Sequence, residues 1–215
     1  MSTRRGYLWL EFVSLFALLP LLLSFGYLPK WPIPFLIAVA GFAAYQLHQS
    51  KLFPNEWFTN WRDGRVHLAD VLLRTSLLVT AIGATVWFWK PELLFSYVKQ
   101  APWLWLGLMI AYPILSVYPQ ELIFRAFFFH RYRPLFETQR MLIAASAVAF
   151  GFVHVIFGNW ISVVLSTVGG VLFSFTYLRS RSLLLTSLEH ALFGNFIFTI
   201  GLGQYFHHAG PLLGR

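Results

Sequence analysis

The sequence predicts an all-α fold: a polytopic transmembrane helical bundle of about 7 to 8 membrane helices, built as a single integral membrane domain over residues 1–215. Three observations predict it. Of the 215 residues, 58% are hydrophobic and only 11% are charged, whereas a soluble domain carries about 25% charged residues. The mean hydropathy is +0.64. Apolar runs of membrane-spanning length recur along the chain, and most basic residues lie in the short links between them. A formal charge of +8 in that arrangement reads as topology and contact with anionic lipid, so no nucleic-acid partner is expected. The absence of cysteine excludes disulfides, thiolate metal sites and a thiol nucleophile, which leaves His, Glu, Asp, Ser and Asn for any chemistry.

The first apolar run, Tyr7 to Leu28, follows Arg4 and Arg5, contains Glu11 and has no small-residue cleavage site after it. It therefore reads as a spanning helix and not as an export signal. A second run, Trp31 to Leu47, has Pro32 and Pro34 at its entrance, where a missing backbone donor costs little. Residues 49–66 are polar and aromatic and read as an interfacial link. Val71 to Trp89 is a third span, with Arg74 near its start expected to snorkel or to pair with Asp70. Pro102 to Tyr118 leads through Pro119 into YPQELIFRAFFFHRYR at 118–133, either as one kinked helix or as a span followed by a partly inserted helix. Met141 to Phe157, Trp160 to Leu178 and Leu183 to Phe206 complete the set, with motif-bearing helices in 102–206. If 102–133 crosses once, ten basic residues lie on the N-terminal side and four on the other. The expected placement is a multi-pass protein of a bacterial cytoplasmic membrane with its N-terminus inside.

Glu121 and Arg125 stand one helical turn apart inside apolar sequence, so they share a face and can neutralise each other. An ionisable group at membrane depth costs about 2.5–3.5 kcal/mol on the insertion scale, which makes it a functional candidate. A purely structural ion pair is the alternative. His154 and His190 lie near the middle of late apolar runs, where both ring nitrogens need partners. Singly, each reads best as a satisfied core histidine. Two such histidines together with the carboxylates of Glu121 and Glu189 are the residue types that bind a divalent metal or activate a water. Ser146, Ser162, Ser166 and Ser187 lack a nucleophile-elbow motif, and Gly169-Gly170 reads as a close helix approach. Bis-histidine haem ligation by His154 and His190 is a further alternative.

Three ordered segments, QELIFR at 120–125, FGFVH at 150–154 and HALFGN at 190–195, resemble the motifs of the CPBP intramembrane metalloproteases. These are the Abi family, related to the CAAX prenyl endopeptidases that trim isoprenylated proteins. The resemblance implies peptide-bond hydrolysis in a membrane-associated peptide or protein substrate, prenylated substrates included. It further implies a site made of Glu121, Arg125, His154, His190 and Asn195, with Zn2+ as cofactor held by His154, His190 and Glu121. The chain departs from the pattern twice. Gln120 replaces the first glutamate, and an amide cannot accept a proton as a base. Gly194 stands at the usual asparagine position, with Asn195 one residue later and about 100° further round the helix. These departures motivate a second expectation, a non-catalytic relative that binds a lipidated peptide or a membrane partner. They also motivate a role for Glu189 as a replacement base.

Overall fold

The computed structural model describes residues 2–29, 32–50, 54 and 58–206, which are predominantly helical and contain no strand. Lys30, Trp31, Lys51, Trp57, His207, His208 and Arg215 lie outside the described residues. Eight helices follow in order: α1 (Thr3–Ser24), α2 (Pro32–Gln49), α3 (Trp61–Trp89), the short α4 (Ser96–Gln100), α5 (Pro102–Arg131), α6 (Gln139–Phe157), α7 (Trp160–Ser180) and α8 (Leu183–Thr199). Of these, α1, α3, α5, α6 and α7 are long and apolar enough to cross a membrane, and α8 is a shorter apolar helix. The protein is thus a helical bundle of the integral-membrane kind.

Helix starts follow the polar residues that satisfy free backbone donors. The side chains of Thr138, Asn159 and Ser182 accept the backbone N–H three residues on and cap α6, α7 and α8. Asn60 does the same from the polar link, so α3 begins at Trp61, ten residues before the expected Val71. The last run is shorter than expected. It leaves the α-helix at Thr199, because Gly201 adopts φ +94° and sends the chain into a 3-10 turn at Leu202–Phe206. Residues 102–131 form one continuous helix, which decides between the two expected forms of that segment.

The N-terminal helix is docked on the motif helix by aromatic packing and one charge cluster. Phe16 meets Phe124 at 5.3 Å and Phe128 at 5.2 Å between ring centroids, in tilted and edge-on arrangements. At the end of α5, Arg131 grips Glu11 with both arms of its guanidinium, at 3.0 and 2.8 Å. Tyr132 donates its hydroxyl to the same carboxylate at 3.0 Å. Burial and the adjoining Glu11 carboxylate push the Tyr132 phenol well above its usual range.

Helices in lipid gain little from hydrophobic burial against one another, so close backbone approach carries much of their association. The contact of α6 with α7 shows it: a Cβ on Gly170 would lie 2.9 Å from Cα and 3.2 Å from O of Ala147. The close-approach reading of Gly169-Gly170 therefore holds at Gly170. Replacing a helical glycine by alanine ordinarily stabilises by about 1 kcal/mol. Gly170→Ala is expected to lower the thermal unfolding midpoint in detergent instead. Gly107→Ala, where nothing lies within 4 Å of the added atom, is expected to leave that midpoint unchanged or raise it.

Candidate active site

The helix that carries the acidic motif is irregular where the motif sits. Pro113 and Pro119 remove two backbone donors, and α5 opens into wide π turns at Pro113–Val117 and Leu122–Phe127 on either side of Gln120 and Glu121. Glu121 and Arg125 are both fully buried. One carboxylate oxygen lies 3.2 Å from Arg125 Nε, as the i,i+4 spacing requires. The other accepts Nδ1–H of His190 at 2.8 Å. The guanidinium lies 4.9 Å over the Phe150 ring, so its charge is met by a carboxylate on one side and an aromatic face on the other.

The two histidines present the same nitrogen. His190 spends Nδ1 on Glu121 and is stacked on Phe173 at 4.5 Å and 18°. Its Nε2 accepts the Tyr112 hydroxyl at 3.1 Å. His154 is placed in a 3-10 turn at the end of α6, where Nδ1 donates to the Phe150 carbonyl at 2.7 Å. A carbonyl only accepts, so in a neutral ring the proton sits on Nδ1 and Nε2 carries the lone pair. Phe150 meets both rings edge-on, 5.0 Å from His154 and 5.4 Å from His190. Both histidines line one largely apolar cavity of about 650 Å³ whose wall also includes Tyr112, Gln120, Phe150 and Gly194.

Two of the expected site residues are turned elsewhere. Asn195 donates to the Met109 carbonyl at 3.3 Å. That carbonyl belongs to the residue four before Pro113, which has no N–H to return to it, so the asparagine amide supplies a donor across helices. Glu189 is fully buried but is absent from the cavity wall. Arg74 Nε donates to it at 3.1 Å, Arg74 Nη2 donates to the same oxygen, and the Thr176 hydroxyl donates to the other. The expected choice for Arg74, snorkelling or Asp70, is corrected by this pair: Asp70 is exposed on α3, whereas Glu189 has no solvent and needs a counter-charge. Adjacent residues of α8 thus face different helices, Glu189 toward α3 and His190 toward α5.

Tyr112 and Gly194 are the site residues that sequence reasoning missed as a pair. A Cβ on Gly194 would lie 2.3 Å from the Tyr112 hydroxyl oxygen, so the glycine is the space that the phenol occupies beside His190. A mid-helix glycine at a motif position was the available signal.

The donors as arranged do not fit the zinc that the resemblance implies. Glu121 gives Oε1 to His190 Nδ1–H, its Oε2 faces Arg125 Nε across an ion pair at 3.2 Å, and the residue is not part of the cavity wall that His154 and His190 line. Among the described residues no three His, Asp or Glu side chains converge to hold a metal ion.

An all-helical membrane protein with a buried Glu–Arg–His cluster under an apolar cavity is the class that fold and site define. Residues 101–196 match the family described as type II CAAX prenyl endopeptidase Rce1-like. That stretch runs from the start of α5 into α8 and contains Tyr112, Gln120, Glu121, Arg125, His154, Glu189, His190 and Asn195. The resemblance carried by the three motifs is borne out over that stretch, which is similar to the CAAX prenyl endopeptidases and spans somewhat less than half of this helical membrane protein. Neither the comparison with curated proteins nor that with solved structures gave a match.

The Arg74–Glu189 pair makes a quantitative prediction about stability. Arg74→Leu strands a buried carboxylate and is expected to cost about 3–5 kcal/mol in detergent unfolding. The double variant Arg74→Leu, Glu189→Gln is expected to recover most of that loss. A strictly additive double would show that the two side chains do not depend on each other.

Proposed function

We propose that the protein is an intramembrane endopeptidase that uses a histidine as base where its relatives carry a glutamate. The observation that carries this reading is the matched pair of imidazoles on one apolar cavity: each has Nδ1 tied down, which leaves the Nε2 lone pair of His154 to a water and that of His190 to an O–H donor, at present Tyr112. In this scheme His154 Nε2 takes a proton from a water. The resulting hydroxide attacks the carbonyl carbon of the scissile bond, and the carbonyl π electrons move onto oxygen. The intermediate collapses with cleavage of the C–N bond, and His154 returns its proton to the departing amine. Glu121 keeps the His190 proton on Nδ1, and Arg125 offsets the carboxylate's charge, so His190 Nε2 is left to accept and orient the water's second hydrogen. The apolar cavity wall favours an apolar or lipid-modified segment next to the cleaved bond.

Gln120 favours a second reading, a protein that binds such a peptide without cutting it. Its Nε2 donates to Ser116 Oγ at 2.6 Å, and its buried Oε1 has no hydrogen-bond partner among the described residues. It therefore offers a substrate N–H an acceptor but gives water no base.

Purified protein incubated with prenylated and unmodified peptides separates the two. Hydrolysis by the wild type, lowered about 10²- to 10⁴-fold in kcat by His154→Ala with the fold intact, is the expected result. Saturable peptide binding with no product in any preparation would establish the second reading in its place. Glu189→Gln, outside the cavity wall, is expected to retain turnover per folded molecule, and loss of turnover there would restore it as a candidate base.

A further inference from the structure

Hydrolysis of an amide passes through a tetrahedral oxyanion, which needs an N–H or O–H donor about 2.7–3.1 Å away in a site closed to bulk water. The groups around His190 can be tested for that role one at a time. His190 Nε2 is an acceptor while Nδ1–H belongs to Glu121. Asn195 gives one amide N–H to the Met109 carbonyl and is not part of the cavity wall. Gln120 gives one of its two amide N–H groups to Ser116 and keeps the other, but no contact among the described residues sets it beside His190. The Tyr112 hydroxyl is different: it lies on the cavity wall and donates to an acceptor, His190 Nε2, that another O–H can take over. Its ring is held edge-on by Phe198 at 5.3 Å, so the phenol oxygen keeps its place while the O–H can rotate about the C–O bond.

We propose that Tyr112 donates the hydrogen bond that stabilises the oxyanion, and that Gly194 is the gap that admits it to the site. This rests on the hydrolytic reading above and adds a catalytic residue to it. When substrate and water are bound, the water's second O–H replaces Tyr112 as donor to His190 Nε2. The freed phenolic O–H then turns to the carbonyl oxygen as negative charge builds on it. The phenol keeps its proton throughout; the only proton that moves goes from water to His154 Nε2 and on to the leaving amine. Glycine at 194 follows from the geometry, since any Cβ there would fall 2.3–2.5 Å from the phenol ring and its oxygen.

The test uses the full chain in detergent or nanodiscs with two probes: a prenylated peptide substrate, and the same peptide with a phosphonate at the scissile position as a tetrahedral anion. Tyr112→Phe is expected to lower kcat about 10²- to 10³-fold with little change in KM, the loss found when one oxyanion donor is removed. It is expected to weaken phosphonate binding by a similar factor and to leave substrate-peptide affinity and the unfolding midpoint unchanged. Gly194→Ala, which displaces the phenol, is expected to show the same loss of phosphonate preference. Unchanged turnover in Tyr112→Phe, or an unchanged ratio of phosphonate to peptide affinity, overturns the proposal. A wild type that cleaves nothing yet prefers the phosphonate, with the preference lost in Tyr112→Phe, rejects hydrolysis and retains the anion site. A wild type that neither cleaves nor prefers the phosphonate rejects both.

Discussion

The rest of the site depends on a fully buried carboxylate, Glu121, held between the Arg125 guanidinium and the His190 imidazole. Each ion in such a place costs several kcal/mol to desolvate, and the cost is offset only when partners are close and well directed. That requirement sets much of the geometry around it. It fixes the facing register of α5 and α8, puts the Phe150 face under the guanidinium, and leaves His190 with one defined nitrogen toward the cavity. Because Glu121 binds His190 through one oxygen and faces the Arg125 charge with the other, the arrangement orients a histidine.

Glu189 and His190 add a second constraint from the same helix. Neighbouring residues on α8 are anchored to different helices, Glu189 to Arg74 on α3 and His190 to Glu121 on α5. A rotation of α8 that improved one contact would break the other. The helix that carries the catalytic candidate is thereby held against rolling, which short apolar helices in lipid otherwise resist poorly.

Much of this was legible in the sequence, for identifiable reasons. Ionisable residues in apolar runs announce themselves, and helix periodicity alone puts Glu121 and Arg125 on one face. His154 and His190 stood out on the same ground. What stayed hidden is the choice of partner across helices. Arg74 and Glu189 are 115 residues apart, and the nearer Asp70 offered a simpler pairing that burial overrides. Pro113 declares that a carbonyl lacks its donor, yet nothing in the chain says that Asn195 will supply one. Tyr112 sits in an apolar run where tyrosine is ordinary, and only the missing side chain at Gly194 reveals its position.

The clasp between Glu11 and Arg131 bears on the order of events during synthesis. Its halves are 120 residues apart, one in the first helix and one at the end of the fifth. At about 5–20 residues per second, the carboxyl of the first helix waits roughly 6–24 s for the arginine that will grip it. Over that interval α1, apolar enough to cross by itself, carries an acid near its middle without the arginine that will pair with it. Arrival of α5 converts it into a docked element. The docking of the first helix thus waits on a residue at the far end of the helix that bears the acidic motif.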